Sequence, residues 1–405
     1  MRNANRQKRT GSGLARGLFV VALLLLLALA ILPWENGKAP EPAPLWEEIP
    51  GTSETEAAEA DHTQGTTASE ETGAEEESTP LYCRGLLSDA DRALYDEILS
   101  GITSRQKTPL STLDKDALSR VYESVLADHP EIFYVNGYAY TTYTSFGRAR
   151  ALTFLAKYTK TEEEQEEEAS EIDAAVEKFL ANVPRDGDDY DALLAAYTRL
   201  IETTQYDTAA VEEGQNITSV FLDHRSVCNG YAKALQLLCQ KLGMETALVT
   251  GTADGGSHAW DLVRADGDWY YVDPTWGDAL EEDGSGTGRI NYDYLCVTGA
   301  DLALTHEDGV SFALPDCTAT KDNYYVREGA YFTSLNTDQL LNLVSKALSS
   351  GADAVRLRCA DDAVFAKMKR DLVDNSGIYQ YLPDVTSLSY TVDETMHTLC
   401  FFLPQ

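Results

Sequence analysis

The sequence predicts an α+β protein in which a cysteine at the head of a helix faces an antiparallel sheet carrying a histidine and an aspartate, with small α+β units on either side. Three observations predict it. Cys228 opens a stretch of helical periodicity, with Tyr231, Leu235, Leu238, Cys239 and Leu242 on one apolar face and Gly243 at the stop. Residues 258–263 and 269–273 read as strands around Asp266-Gly267, a strong two-residue hairpin signal. Alternating helical and strand patterns without a long parallel repeat lie before and after this region.

The chain has 405 residues, enough for two or three domains. Its formal charge of -34 argues against DNA or RNA as a partner, because an acidic surface repels phosphate and no basic patch occurs beyond the first sixteen residues. That start carries Arg2, Arg6, Lys8, Arg9 and Arg16 and no acid, and an apolar run at 18–32 follows. The pattern is that of a signal sequence or signal anchor over 1–34, either retained or cleaved after Ala28-Leu29-Ala30. Both readings put everything that follows outside the cytoplasm. Residues 35–80 hold thirteen acids and one lysine with few large apolar side chains, so they are expected to form a disordered acidic stalk.

Folded sequence begins near Leu81. Ser88 is placed to cap a helix to about residue 100, with Leu94, Tyr95, Ile98 and Leu99 on one face. A second helix is expected over 113–126, then strands over 132–143 and 149–158 on either side of Gly147. Together these make an N-terminal α+β domain over 81–160. An acidic run at 162–168 opens a long helix ending near Pro184, where the acids suit the helix dipole. Another helix is expected over 190–203.

The chemistry is concentrated at 227–276, within a domain assigned to 161–316. A cysteine in the first turn of a helix sits among amides with no intrahelical acceptor and at the positive end of the dipole, which both favour a thiolate. A strand over 244–250 and a loop over 251–257 lead to His258. A two-residue turn at Asp266-Gly267 pairs Ala265 with Asp268. Counting outward, Trp260 pairs with Asp273 and His258 with Thr275, so His258 and Asp273 share a face as diagonal neighbours. A carboxylate so placed orients the imidazole and balances its charge.

The segments SVCNGYAKALQLLCQKLG, GSHAWDLV and GDWYYVDPTWGD resemble the three motifs of the transglutaminase-like superfamily, the papain-related group with Cys, His and Asp in that order. Asp128-His129-Pro130-Glu131-Ile132-Phe133-Tyr134-Val135 also looks like the N-terminal part of bacterial cell-surface members. The resemblance implies Cys228 as nucleophile, His258 as base and Asp273 as orienting acid, in a thiol acyltransferase or hydrolase acting on amide bonds of peptides or proteins, which the start at 1–34 would anchor in the membrane. It implies no cofactor and no metal. The chain departs from the pattern at Asn229, where Glu or Gln is common, and at Gly277, where an acid is common. A catalytically silent scaffold and a metal site built from Cys228, His258 and Asp273 are the rival readings, the latter lacking a usual zinc-ligand spacing.

After about Cys317 a C-terminal α+β domain is expected over 317–405. Its elements are a helix capped by Asn336 and stopped by Gly351, a strand over 354–359, a helix over 361–373 and a hairpin over 387–403. Seven scattered cysteines contain no C-x-x-C pair, and nothing in the sequence assigns disulfides or an oligomeric state.

Overall fold

A computed structural model describes residues 79–207, 215–280 and 286–404. The apolar run at 18–32 and the expected stalk up to residue 78 lie outside the described residues. Among the described residues no helix is long and apolar enough to cross a membrane.

The N-terminal elements follow from their caps and periodicity. Ser88 accepts the Asp91 N–H at the head of the Asp89–Ser104 helix, and Asp114 does the same for Lys115–Asp128. Their apolar faces, including Leu94, Ile98, Leu118 and Val121, are buried against each other and the strands Val135–Ser145 and Arg148–Tyr158. A short strand, Thr108–Leu110, adds to the outer edge of Arg148–Tyr158. The acidic helix Glu162–Leu180 starts with a full capping box between Thr161 and Glu164 and keeps most of its acids in solvent, while half-buried Glu168 pairs with Lys160.

The helix Cys228–Lys241 packs on a four-stranded sheet. The sheet order is His306–Asp308, Thr246–Ala253, Gly256–Ala265, Asp268–Val272, all antiparallel. The expected loop over 251–257 does not exist as such. The first strand continues to Ala253, and Asp254-Gly255 makes a tight turn with positive φ at both residues, 47° and 78°. Asp266-Gly267 makes the second, at 49° and 89°. Both are Asp-Gly pairs, the composition that this left-handed turn favours.

The second hairpin keeps the expected register from Ala265↔Asp268 to Asp261↔Val272 and then stops. The expected pairings of Trp260 with Asp273 and of His258 with Thr275 do not form. Pro274 has no N–H for a ladder and a φ suited to the first position of a helix, so 274–277 coil into one helical turn capped by Asp273.

Glutamines on the cysteine-bearing helix join it to the N-terminal unit: Gln240 donates to the Asp128 carbonyl at 2.8 Å and Gln236 to that of Ala127. One apolar core runs from Leu94 to Cys296, and a second from Phe332 to Phe401 fills the C-terminal unit. There Asn336 caps Thr337–Ser350 and Gly351 ends it at φ 70°. The strand Ala354–Cys359 pairs with Thr398–Phe402, which pairs with Ser389–Asp393. The helix expected over 361–373 is α-helical only over Asp362–Met368 and widens to a π-type turn over Lys369–Asp374. This unit is tied to the larger one by Arg358–Asp301 at 2.6 Å, Thr398–Asp293 at 2.9 Å and stacked Tyr292 and Tyr324 rings.

Gly251 sits in the sheet between Asp308 on one neighbouring strand and His258 on the other. A Cβ there would run into the Glu307 carbonyl and the Trp260 indole. Gly251→Ala is therefore expected to destabilise the protein by about 1–3 kcal/mol through overpacking. Urea denaturation checks this, and an unchanged midpoint would mean that the outer strand is not seated as described.

Candidate active site

Cys228 is the first residue of its helix and is half-buried. Its helix begins after Val227, whose side chain makes no cap. The other long helices are capped by Ser88, Asp114, Thr161, Asp188 and Asn336. The amides around Cys228 are thus left without a side-chain acceptor, a setting suited to an anion.

His258 lies on Gly256–Ala265 and is buried. Its Nε2 is 2.8 Å from Asp273 Oδ2. A carboxylate only accepts, so Nε2 carries a proton, and Cys228 lies close enough to the ring to help raise its pKa. The three residues singled out in the sequence therefore meet, although Asp273 reaches His258 from a helix cap rather than from a paired strand position. Burial by itself would lower the imidazole's pKa. The charge and hydrogen bond of Asp273, joined by Cys228, outweigh it and push the value up to about 10.

Asp273 is fully buried and fully bonded. Oδ1 accepts from Thr275 N–H at 2.8 Å and Trp276 N–H at 3.1 Å. Oδ2 accepts from His258 and, at 3.1 Å, from Nε2 of His306. Burial opposes its ionisation, but the two histidines hold the carboxyl well below the usual carboxylate range. The backbone is fixed too: Asp273 N–H donates to the Tyr294 carbonyl at 3.0 Å, and the Tyr197 hydroxyl approaches the Asp273 carbonyl at 3.2 Å.

Tyr197 explains the departure at Gly277. A Cβ at that position would collide with the Tyr197 phenol and Ile201, so no acidic side chain fits. Neither Tyr197 nor His306 was legible as a site residue. Tyr197 reads only as part of the apolar face of Asp189–Thr203, and His306 sits on a strand of three residues, too short to show alternation. Trp260, Trp276 and Tyr294 surround the two imidazoles and shield them from water.

Among the described residues, the metal-type donor group is His258, Asp273 and His306, with ligand atoms within 4.8 Å of one another. It differs from the set weighed from sequence by holding His306 in place of Cys228. Both Nε2 atoms sit at hydrogen-bond distance from one carboxylate oxygen, so protons already satisfy the group. All seven cysteines are free thiols.

A helix-borne thiol packed against an antiparallel sheet that presents an imidazole, with a carboxylate at the cap just beyond the sheet's last strand, is the arrangement of papain-like cysteine-site proteins. The family model "Transglutaminase-like superfamily" matches residues 177–274, and the chain carries a domain of that superfamily. Over 108 residues the chain is 27% identical to human (Homo sapiens) kyphoscoliosis peptidase and 26% to that of Mus musculus. Each match covers 23% of this chain and 16% of the relative, so the chain aligns with only a small part of their length. The crystal structure of a TGase is similar at 15% identity, covering 42% of this chain and 51% of that one with a TM-score of 0.26.

One further buried acid lies beside the site. Asp261 is fully buried with no hydrogen-bond partner at either carboxylate oxygen, and burial, then the Asp273 charge, pushes its pKa well above the ordinary value. A raised carboxyl pKa contributes stability below the unfolded value of about 3.9 that is lost as pH rises. Asp261→Asn is therefore expected to raise stability by at least about 1 kcal/mol near pH 8 and to change it little near pH 4. Thermal melts at the two pH values check this, and an equal or opposite shift would contradict it.

Proposed function

We propose that this chain is an enzyme of acyl transfer, a thiol acyltransferase or hydrolase acting on amide bonds of peptides or proteins. The observation that carries the reading is the 2.8 Å bond between buried His258 and buried Asp273, with the half-buried Cys228 near enough to the same ring to raise its pKa. The raised pKa of His258 favours an imidazolium that can stabilise a Cys228 thiolate at neutral pH.

In this reading the Cys228 sulfur attacks the amide carbonyl carbon. The oxygen gathers negative charge near the uncapped amides of the helix start, with the Cys228 N–H as one donor. His258 gives its proton to the departing amine, the C–N bond breaks and a thioester remains on Cys228. Water, deprotonated by His258, then releases a carboxylic acid and regenerates the thiolate, while an amine in its place gives a new amide. The relatives' name, peptidase, agrees with the hydrolytic branch. The basic and then apolar start at 1–34 supports anchoring with the catalytic part outside the cytoplasm, next to surface peptides.

The other thiols make the test clean. Burial pushes Cys317, Cys359 and Cys400 up to about 12 and drives Cys83, Cys239 and Cys296 well above the ordinary value. Iodoacetamide at about pH 6 is expected to label Cys228 selectively, and peptide donors are expected to leave a hydroxylamine-labile mass on the same residue. Cys228→Ala should abolish both. A variant that labels as well as the wild type would defeat the assignment.

A further inference from the structure

We propose that His306 is a positioning residue of this site, a second imidazole that holds the Asp273 carboxylate in place for His258; the proposal rests on the acyl-transfer reading above. His306 lies on His306–Asp308, the outermost strand of the sheet, beyond the residues that the family model matches. Its side chain is fully buried, as is that of Asp273.

One of the hydrogen bonds around it has a fixed direction. Nε2 must donate, because Asp273 Oδ2 only accepts. On the other side Thr305 Oγ1 is 2.8 Å from Nδ1 and 3.4 Å from the Leu302 carbonyl. The Tyr294 hydroxyl lies 3.2 Å from Thr305 Oγ1, so the ring is held by polar contacts at both nitrogens.

Packing fixes the ring itself. Its centroid is 4.7 Å from that of Trp276, 5.0 Å from Trp260 and 5.4 Å from His258. The same carboxylate oxygen therefore receives two imidazole N–H groups, one from each ring. During the reaction His258 alternates between charged and neutral forms. The bond from His306 keeps Oδ2 aimed at His258 through both.

The experiment measures the rate of Cys228 alkylation by iodoacetamide against pH in the full chain, with the labelled peptide quantified by mass spectrometry. His306→Phe keeps an aromatic ring in the cage and removes the donor; His306→Gln restores an N–H. The phenylalanine variant is expected to lose about tenfold in rate near pH 6 while keeping the wild-type rate near pH 9, since only the rate at low pH depends on the charged His258. The glutamine variant is expected to recover most of the loss. A loss of fold would instead change labelling at every pH. If His306→Phe does not fold, Thr305→Val carries the test, with a smaller loss in the same direction expected and an unchanged profile overturning the proposal. Wild-type protein with no Cys228 labelling near pH 6 would defeat the acyl-transfer reading and this proposal together. Wild-type labelling that His306→Phe shares at every pH would defeat this proposal alone.

Discussion

A carboxylate withdrawn completely from water costs several kcal/mol unless its lone pairs find donors. Asp273 finds four: two backbone N–H groups on one oxygen and two imidazoles on the other. At about 1.5–3 kcal/mol for each hydrogen bond to a charged group, this set offsets the loss of hydration. The rest of the site depends on that balance. The Asp273 carboxylate favours the charged form of His258, whose ring lies near Cys228. Because the same residue caps the turn at Pro274–Gly277, the chain leaves the sheet where it does.

The fold supplies those donors from separated parts of the chain. The hairpin brings His258, the helical turn brings Thr275 and Trp276, and the outer strand brings His306. Tyr197 on Asp189–Thr203 and the Tyr294 carbonyl fix the backbone of Asp273. The small residues have matching roles: Gly251 lets the outer strand close over Trp260, and Gly277 makes room for the Tyr197 phenol. The helix start at Cys228 does the opposite of the other long helices by leaving its first amides uncapped. Local stability is given up where an anion would be held.

Much of this was legible from residue order alone. The periodicity after Cys228, the Asp-Gly turn at 266–267 and the N-caps at Ser88 and Asn336 are local signals, and the elements they define appear within a few residues of expectation. The grouping of Cys228, His258 and Asp273 was legible as well, but for a partly mistaken reason. Strand counting placed Asp273 opposite Trp260, whereas Pro274 stops the ladder one residue earlier and the side chain arrives from a cap. Asp254-Gly255 carries the same turn composition as Asp266-Gly267, and the glycines around it made the segment read as a loop. His306 and Tyr197 act through tertiary contacts across 33 and 76 residues of sequence, which no local pattern encodes.

The central claim is that Asp273 keeps His258 charged at neutral pH, and it is most directly tested by an NMR titration of the His258 ring nitrogens in the intact protein. The structure predicts protons on both nitrogens near pH 8, lost only as the pH nears about 10. A ring that loses its second proton near the ordinary value of about 6.5 would contradict the account.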